Sequence, residues 1–162
     1  TNGYSLARKI LFERLGWQVD TFVAELGTTV GDALLATHRS YLPVLRPLLG
    51  LRSSAPGGGA LIKGLAHITG GGITDNLPRI LPAGTTAHVD TRCWQAPPLF
   101  DLLQARGEVP REDMYRTFNM GIGMIVACAR EDAPVALRAL GEDGAVPIGR
   151  VEAGTGGVRY DW

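Results

Sequence analysis

Apolar and polar residues follow one another along the chain at two spacings, one typical of helices and the other typical of strands. Near the start, an apolar stripe at helical spacing extends from Leu6 to Leu15 and stops at Gly16. Ser5 directly precedes the stripe and belongs to a residue type that caps helices, and glycine commonly ends them. The pattern predicts a first helix that begins at Ser5 and ends at Gly16.

Proline and glycine mark the ends of further helices. Residues 97–107 and 110–118 each combine apolar positions with a proline in the first turn, and residues 132–144 form a further helical segment. Gly107 ends the first of these segments, and the turn at 119–121 ends the second. The sequence therefore predicts three helices in this part of the chain.

Segment 31–45 cannot form one continuous helix, because it contains Pro43 and is followed by Pro47. We therefore predict a strand before Pro43 and a short helix after it. The next segment, SSAPGGG at 53–59, has the composition of a flexible loop.

Strands are predicted where apolar residues alternate or are continuous over short runs. The runs are 61–69, 85–91 and 123–129, with 147–154 and 158–162 as a terminal hairpin around Thr155 and Gly156. Helices and strands are interspersed without a strict βαβ repeat. The predicted fold class is therefore α+β, a mixed β-sheet layered with α-helices, in a single domain over residues 1–162.

Composition and charge narrow the classes of function. Apolar residues make up 45% and charged residues 20%, and no apolar run approaches the roughly 18 residues of a membrane helix. The 16 basic and 16 acidic residues are scattered, which disfavours a nucleic acid or a membrane surface as partner. Cys93 and Cys128 are predicted to be buried free thiols, and a cytoplasmic location is expected because no signal peptide is present.

The segment AHITGGGITDNLPR at 66–79 is the strongest candidate for chemistry. Three successive glycines after an apolar strand leave backbone N–H groups without side-chain cover, which suits an anion such as phosphate. The alternative is a tight turn that needs glycine only for its positive φ angles. Polar side chains in the same segment favour the anion-binding interpretation. They are His67, Thr69, Asp75, Asn76 and Arg79.

Single residues in this region each have a functional and a structural interpretation. His67 is a candidate for binding substrate or moving a proton, and the alternative is a structural histidine at a strand end. Asp75 is a candidate base or magnesium ligand, or only an acidic residue at a helix start. Asn119 is a candidate site residue or part of the turn that ends a helix. Walker, dinucleotide, zinc and GxSxG motifs are absent from the sequence.

Several separate stretches resemble one family in order and spacing. They are NGYSLAR at 2–8, LLATHRSY at 34–41, GLAHITGGGITDNLPRILP at 64–82, a W-x-x-P-x-x-F-x-x-L-x-x-x-G run from Trp94 to Gly107, and EDMYRTFNMGIGM at 112–124. Together they resemble the C-terminal half of the phosphoribosylformylglycinamidine cyclo-ligases, also called aminoimidazole ribonucleotide synthetases. The resemblance extends from residue 2 to about residue 160.

The resemblance implies an ATP-dependent enzyme that closes formylglycinamidine ribonucleotide to aminoimidazole ribonucleotide in purine biosynthesis, with release of ADP and phosphate. It implies ATP and Mg²⁺ as cofactors, with K⁺ as a further candidate ion. An N-terminal ATP-binding and dimerisation domain would precede this chain and bind most of them. The full enzyme would be a homodimer with its active site in the cleft between domains, and this chain alone is expected to be inactive.

The resemblance also assigns roles to residues at the positions that match the family's motifs. His67 is implied as catalytic, Asn2 and Gly3 lie at the domain junction, and no residue is implied as a metal ligand. The residues expected to contact substrate or nucleotide phosphate are Thr69, Gly70, Gly71, Gly72, Asn76 and Asn119.

Two other hypotheses remain open at this point. Thiamine-monophosphate kinase and selenophosphate synthetase share the two-domain architecture and also use ATP, so this chain is also a candidate for half of such an enzyme. A hypothesis of another class is a non-catalytic module that binds a phosphate ligand. HITGGG and MYRTFNMGIGM favour the cyclo-ligase among these alternatives.

Overall fold

Three small β-sheets with helices packed around them make up the computed structural model of the chain, which describes residues 2–162. The arrangement confirms the predicted α+β class. The first helix is α-helical as α1 (Tyr4–Arg8) and continues as a π-helix (Lys9–Arg14). The other helices are α2 (Val30–Leu34), α3 (Leu42–Leu49), α4 (Gly72–Asn76), α5 (Pro98–Gly107), α6 (Arg111–Thr117) and α7 (Ala133–Leu140). The strands are β1 (Phe22–Val23), β2 (Thr28–Thr29), β3 (Ile62–His67), β4 (Thr85–Asp90), β5 (Met124–Cys128), β6 (Gly149–Ala153) and β7 (Val158–Asp161). Short 3-10 turns cover Leu77–Ile80, Thr91–Cys93, Arg130–Asp132 and Gly141–Asp143.

Two of the sheets bring distant parts of the sequence together. β3 and β5 pair antiparallel, with His67 opposite Met124 at one end. β4 is the centre of a three-stranded mixed sheet, antiparallel to β6 and parallel to β7. The small sheet of β1 and β2 is a local antiparallel hairpin. The mixed sheet that the sequence predicts is therefore present.

The predicted terminal hairpin is wrong, because β4 lies between β6 and β7. The glycine-rich loop at 154–157 passes over the start of β4 instead of turning tightly. Thr86 holds this crossing: its Oγ1 accepts from Gly156 N at 3.2 Å and donates to Gly156 O at 3.1 Å. A Cβ on Gly154 would lie 2.2 Å from the same Oγ1, so glycine is required for the close approach.

The predicted strand before Pro43 is also wrong. Residues 30–34 form α2, and Thr29 caps it by accepting a hydrogen bond from Asp32 N at 3.1 Å. Coil follows until α3, which starts at Leu42 with Pro43 in its first turn, as predicted. Pro43 therefore lies where its missing N–H is tolerated, whereas Pro47 lies inside α3 and removes one hydrogen bond of that helix.

Helix α1 begins earlier than the sequence predicts. Gly3 occupies the N-cap position with φ of 83°, and its carbonyl accepts from Ala7 N at 3.0 Å. Ser5 lies inside the helix and is not its cap. A Cβ on Gly3 would lie 2.3 Å from Cε1 of Phe118, so this glycine serves both the positive φ and the contact with the Phe118 ring.

Alternate residues of the β3–β5 sheet face two different layers. Leu65 and Val126 pack with α3 and α7 on one side, while Ala66 and Ile125 pack towards α4 and β4 on the other. His67 is two residues beyond Leu65, and its side chain lies next to the coil that leads into α3. This alternation separates the His67 side chain from that of Ile68, which belongs to the opposite core.

Two further features concern membrane-spanning helices and the two cysteine thiols. No helix within residues 2–162 has the length and apolar character needed to span a membrane. Cys93 and Cys128 are free thiols, but Cys93 is exposed, so the prediction that both are buried is wrong for it. Burial raises the pKa of the half-buried Cys128 thiol.

Candidate functional site

The triple-glycine segment forms a tight turn between β3 and α4. Ile68 N donates to Gly123 O at 2.9 Å, which holds the start of the turn to the strand beside it. Gly72 N donates to Thr69 O at 3.0 Å and closes the turn. Gly71 and Gly72 have φ angles of 93° and 58°, a region that glycine adopts at little cost. The tight-turn interpretation is therefore correct as far as the backbone is concerned.

Asn76 holds the carbonyl side of this turn from within. Its side chain is buried, and its Nδ2 donates to Gly72 O at 2.8 Å and to Gly70 O at 3.0 Å. Its Oδ1 accepts from Thr69 Oγ1 at 3.4 Å. The short amide side chain at helix position 76 thus ties the glycine carbonyls inward, and its hydrogen-bonding groups are engaged with the turn itself.

The amide side of the turn is different. Considering only hydrogen bonds among residues 2–162, the backbone N–H groups of Thr69, Gly70 and Gly71 have no acceptor. Gly70 is exposed and Gly71 half-buried. Adjacent N–H donors without protein partners are the groups that bind a phosphate or carboxylate in glycine-rich turns. The turn therefore combines a fixed backbone with donors available for an anion.

A small cavity lies beside these donors. Its volume is about 50 Å³, and the residues that line it are Asn2, Ile68, Thr69, Phe100 and Asn119. Three of the predicted site residues, Asn2, Thr69 and Asn119, thus meet at one place although they are far apart in sequence. The cavity is well below the roughly 300–1,000 Å³ of ordinary ligand pockets. It has room for part of a ligand only.

Asn119 is fixed by the turn that follows α6. Its Oδ1 accepts from Gly121 N at 2.9 Å, and its carbonyl accepts from Ile122 N at 2.9 Å. This is the helix-end turn that the sequence offers as the alternative to a site role. The Oδ1 contact leaves the Nδ2 donors of Asn119 available beside the cavity. A structural role and a binding role are therefore compatible at this residue.

His67 does not line this cavity. Its imidazole Nε2 lies 3.2 Å from Nε2 of His38, within hydrogen-bonding distance. Tyr41 stands edge-on to both rings, with centroid distances of 5.9 Å to His38 and 6.4 Å to His67. Neither His38 nor Tyr41 is among the site residues that the sequence predicts. No local spacing could reveal this pair, because 29 residues separate the two histidines.

The larger surface groove lies outside this arrangement, whereas Asp75 lies against the turn: a Cβ on Gly71 would be 2.7 Å from Oδ2 of Asp75. Asp75 is exposed in the first turn of α4 and forms no side-chain cap. Within residues 2–162, no group of three or more histidine, cysteine, aspartate or glutamate side chains is placed to hold a metal ion. A groove of about 450 Å³ lies elsewhere, lined among others by Trp94, Asp101, Arg111 and Tyr115, and contains none of the predicted site residues.

Comparison with known proteins identifies the family. The sequence profile of the AIR synthase related protein C-terminal domain matches residues 1–161. The chain belongs to this family. The match covers both the glycine turn and the segment with Asn119, and it confirms the resemblance that the sequence motifs indicate.

Curated relatives of this AIR synthase related domain carry a common name. A protein of Caldanaerobacter subterraneus subsp. tengcongensis, named phosphoribosylformylglycinamidine cyclo-ligase, is 42% identical over 160 residues, which cover 98% of this chain and 45% of the relative. A protein of the same name from Bifidobacterium longum subsp. infantis is 40% identical over 162 residues, with the same coverage. The chain thus spans less than half the length of these relatives.

Proposed function

We propose that this chain is the C-terminal half of a phosphoribosylformylglycinamidine cyclo-ligase, which closes formylglycinamidine ribonucleotide to aminoimidazole ribonucleotide with ATP. The observation that carries the proposal is the 42% identity to a relative of that name over 98% of the chain. The glycine turn supports it, because a phosphorylated substrate and ATP both need hydrogen-bond donors for phosphate oxygens. The full enzyme is proposed to act in the cytoplasm as a homodimer.

The residues of this chain divide into those that suit the proposed ligands and those that do not. The free amides of Thr69, Gly70 and Gly71 suit a phosphate, and Asn2 and Asn119 lie beside them. The part of the chain that the structure describes does not fit Mg²⁺, because no carboxylate cluster faces the turn. We therefore place Mg²⁺, any K⁺ and most ATP contacts on a preceding N-terminal domain.

In this proposal the small cavity is one wall of a cleft. A cavity of about 50 Å³ cannot enclose a ribonucleotide, so a facing domain has to complete the site and exclude water. Asn2 and Gly3 lie where the chain enters the domain, next to the glycine turn: a Cβ on Gly70 would lie 3.7 Å from Cγ of Asn2. The domain junction and the anion site are therefore neighbours.

The direct test is reconstitution. The chain is purified and assayed for ATP-dependent formation of aminoimidazole ribonucleotide alone, and then mixed with the N-terminal half of the Caldanaerobacter relative. We expect no product from either half and product from the mixture. Product from this chain alone would contradict the half-site proposal. A mixture that associates without activity, while the chain alone binds phosphate compounds, would favour the non-catalytic module.

The role of the turn in binding phosphate is tested at Gly70, not at Gly71 or Gly72. Gly70 has no positive φ, and a Cβ on it would make an ordinary van der Waals contact with Asn2 at 3.7 Å, so Gly70→Val keeps the turn while placing a branched side chain beside the free amides. We expect kcat/KM of the reconstituted enzyme to fall by at least about 10-fold. Gly141→Val is the matched control, because Gly141 also has no positive φ, and a Cβ on it would meet nothing within 4 Å. Equal kinetics for the two variants would make the turn purely structural.

A further inference from the structure

The contact between His38 and His67 is an arrangement of titratable side chains that the proposed function leaves unexplained. The two Nε2 atoms are 3.2 Å apart, and the rings are inclined at 45° with centroids 5.2 Å apart. A hydrogen bond between two imidazole nitrogens requires a proton on one and a lone pair on the other. The contact therefore couples the two tautomers: one ring carries its proton on Nε2 and the other on Nδ1.

The position of His38 is determined by anchors on both sides. Arg39 donates from Nη1 to Asp143 O at 2.9 Å and forms an ion pair with the carboxylate of the same residue. The Tyr41 hydroxyl packs directly on Gly123, where a Cβ would lie 1.9 Å from the phenol oxygen. The Tyr41 contact holds the coil before α3 against the end of the β3–β5 sheet, and the Arg39 contact holds it against the 3-10 turn that follows α7. Tertiary contacts therefore place His38 beside His67.

A metal is not required to explain the pair. Among residues 2–162, no third histidine, cysteine, aspartate or glutamate joins the two imidazoles. Both rings are exposed, and no partner for Nδ1 of His67 is found in the same part of the chain. The pair is therefore arranged to orient one imidazole with the other, as a carboxylate or carbonyl orients the histidine of a catalytic site.

We propose that His38 is a positioning residue for His67: it occupies Nε2 of His67 and leaves Nδ1 as the nitrogen that meets the substrate. The inference rests on the proposed function and on the catalytic role that the family resemblance implies for His67. The strand end fixes the backbone of His67, and the hydrogen bond fixes the rotation of its ring and couples its tautomer to that of His38. A single defined nitrogen then binds or moves a proton at the substrate.

The hydrogen bond is tested first, in the chain itself. Histidine ¹⁵N chemical shifts distinguish protonated and unprotonated ring nitrogens, and the chain has three histidines. At a pH where the rings are neutral, we expect complementary tautomers at His67 and His38, one protonated at Nε2 and the other at Nδ1, and we expect His38→Ala to change the tautomer populations of His67. His88, next to Glu152 at 3.4 Å, is the internal control and stays unchanged. The same tautomer mixture at His67 in both proteins would overturn the proposal.

The positioning role is tested next, in the reconstituted enzyme. We expect His38→Ala to lower kcat by roughly 10-fold with little change in KM, as is common when the partner of a site histidine is removed. His38→Gln places an amide near the former Nε2 and should recover most of kcat, which a merely structural role would not require. Unchanged kcat in His38→Ala overturns the positioning role. An inactive wild-type mixture would instead contradict the proposed function, and the NMR result would still decide the pairing.

Discussion

Two triple-glycine segments in this chain have the same composition but differ in how closely other atoms pack around them. At 57–59, all three glycines have positive φ, and Cβ atoms on Gly57 and Gly58 would meet nothing within 4 Å. At 70–72, a Cβ on Gly71 would lie 2.6 Å from Cβ of Asp75, and one on Gly72 would lie 1.9 Å from Tyr115 O. The first segment needs glycine for its backbone angles alone, and the second also needs the space.

The two segments are also held in different ways. The loop at 53–59 is fixed at one end by Asp132, which is 1% exposed and accepts hydrogen bonds from Ser54 N and Ser54 Oγ at 2.8 Å and from the Ser53 hydroxyl. The turn at 70–72 is fixed by Asn76 and packed against α6. A carboxylate anchors the exposed loop, whereas an amide and close packing anchor the turn. Substitutions in the two segments should therefore differ clearly in how much they lower the free energy of unfolding.

The largest effect is expected for Gly72→Ala. The added methyl group would overlap the backbone oxygen of Tyr115, and the positive φ of 58° adds strain. We expect the free energy of unfolding to fall by about 4 kcal/mol, a size typical of overpacking combined with backbone strain. Thermal and urea denaturation of the chain measure it. A loss of less than about 1 kcal/mol would mean that α4 and α6 separate easily.

A smaller effect is expected for Asp132→Asn. The hydroxyl of Ser53 and the amide of Ser54 lower the pKa of the Asp132 carboxyl, and an asparagine cannot accept from all three donors. We expect a lower melting temperature at neutral pH, and faster proteolysis within 53–59 than in the wild type.

The effect of Asp132→Asn on the melting temperature is expected to depend on pH. Because the folded pKa of Asp132 is depressed, its contribution to stability is present above the unfolded value of about 3.9 and is lost as the pH falls through the folded pKa. The difference in melting temperature between wild type and Asp132→Asn should thus be constant near neutral pH and shrink below about pH 4. Other acidic groups titrate in both proteins and cancel. A difference that is the same at pH 7 and pH 3 would contradict the anchoring role of the carboxylate.

The smallest effect is expected for Gly58→Ala. Its φ of 62° is accessible to alanine at a cost of about 1 kcal/mol, and its methyl group would point into open space. Denaturation under the conditions used for Gly72→Ala gives the direct comparison. A loss as large as that of Gly72→Ala would show that the loop has a packed partner.

Local patterns were sufficient for the elements with strong end signals. The helices that begin near Pro98 and Pro110 lie where proline in the first turn predicts them, and strands β3, β4 and β5 lie inside their predicted segments. Thr69, Asn2 and Asn119 were predicted as site residues from motifs, and the fold brings them together around one cavity. The roles of these residues stay predictions.

Features that depend on distant partners could not be predicted in this way. The run GTGG at 154–157 has the composition of a hairpin turn, and only the presence of β4 between β6 and β7 makes it a crossing loop. His38 and His67 meet because α3 packs on the β3–β5 sheet. The N-cap of α1 is Gly3 and not Ser5, and the ring of Phe118 leaves room only for glycine at position 3. Each of these outcomes is decided by tertiary contacts that composition does not encode.

The central position of β4 determines when the mixed sheet can form during synthesis. Both neighbours of β4, Gly149–Ala153 and Val158–Asp161, follow it by about 60 to 70 residues in the chain. Until a ribosome has released them, Thr85–Asp90 has two open edges that invite pairing with other chains. Such long-range pairing also slows folding. Expression at low temperature or with a chaperone that covers strand edges should therefore improve the yield of folded protein more than any change near the first helix.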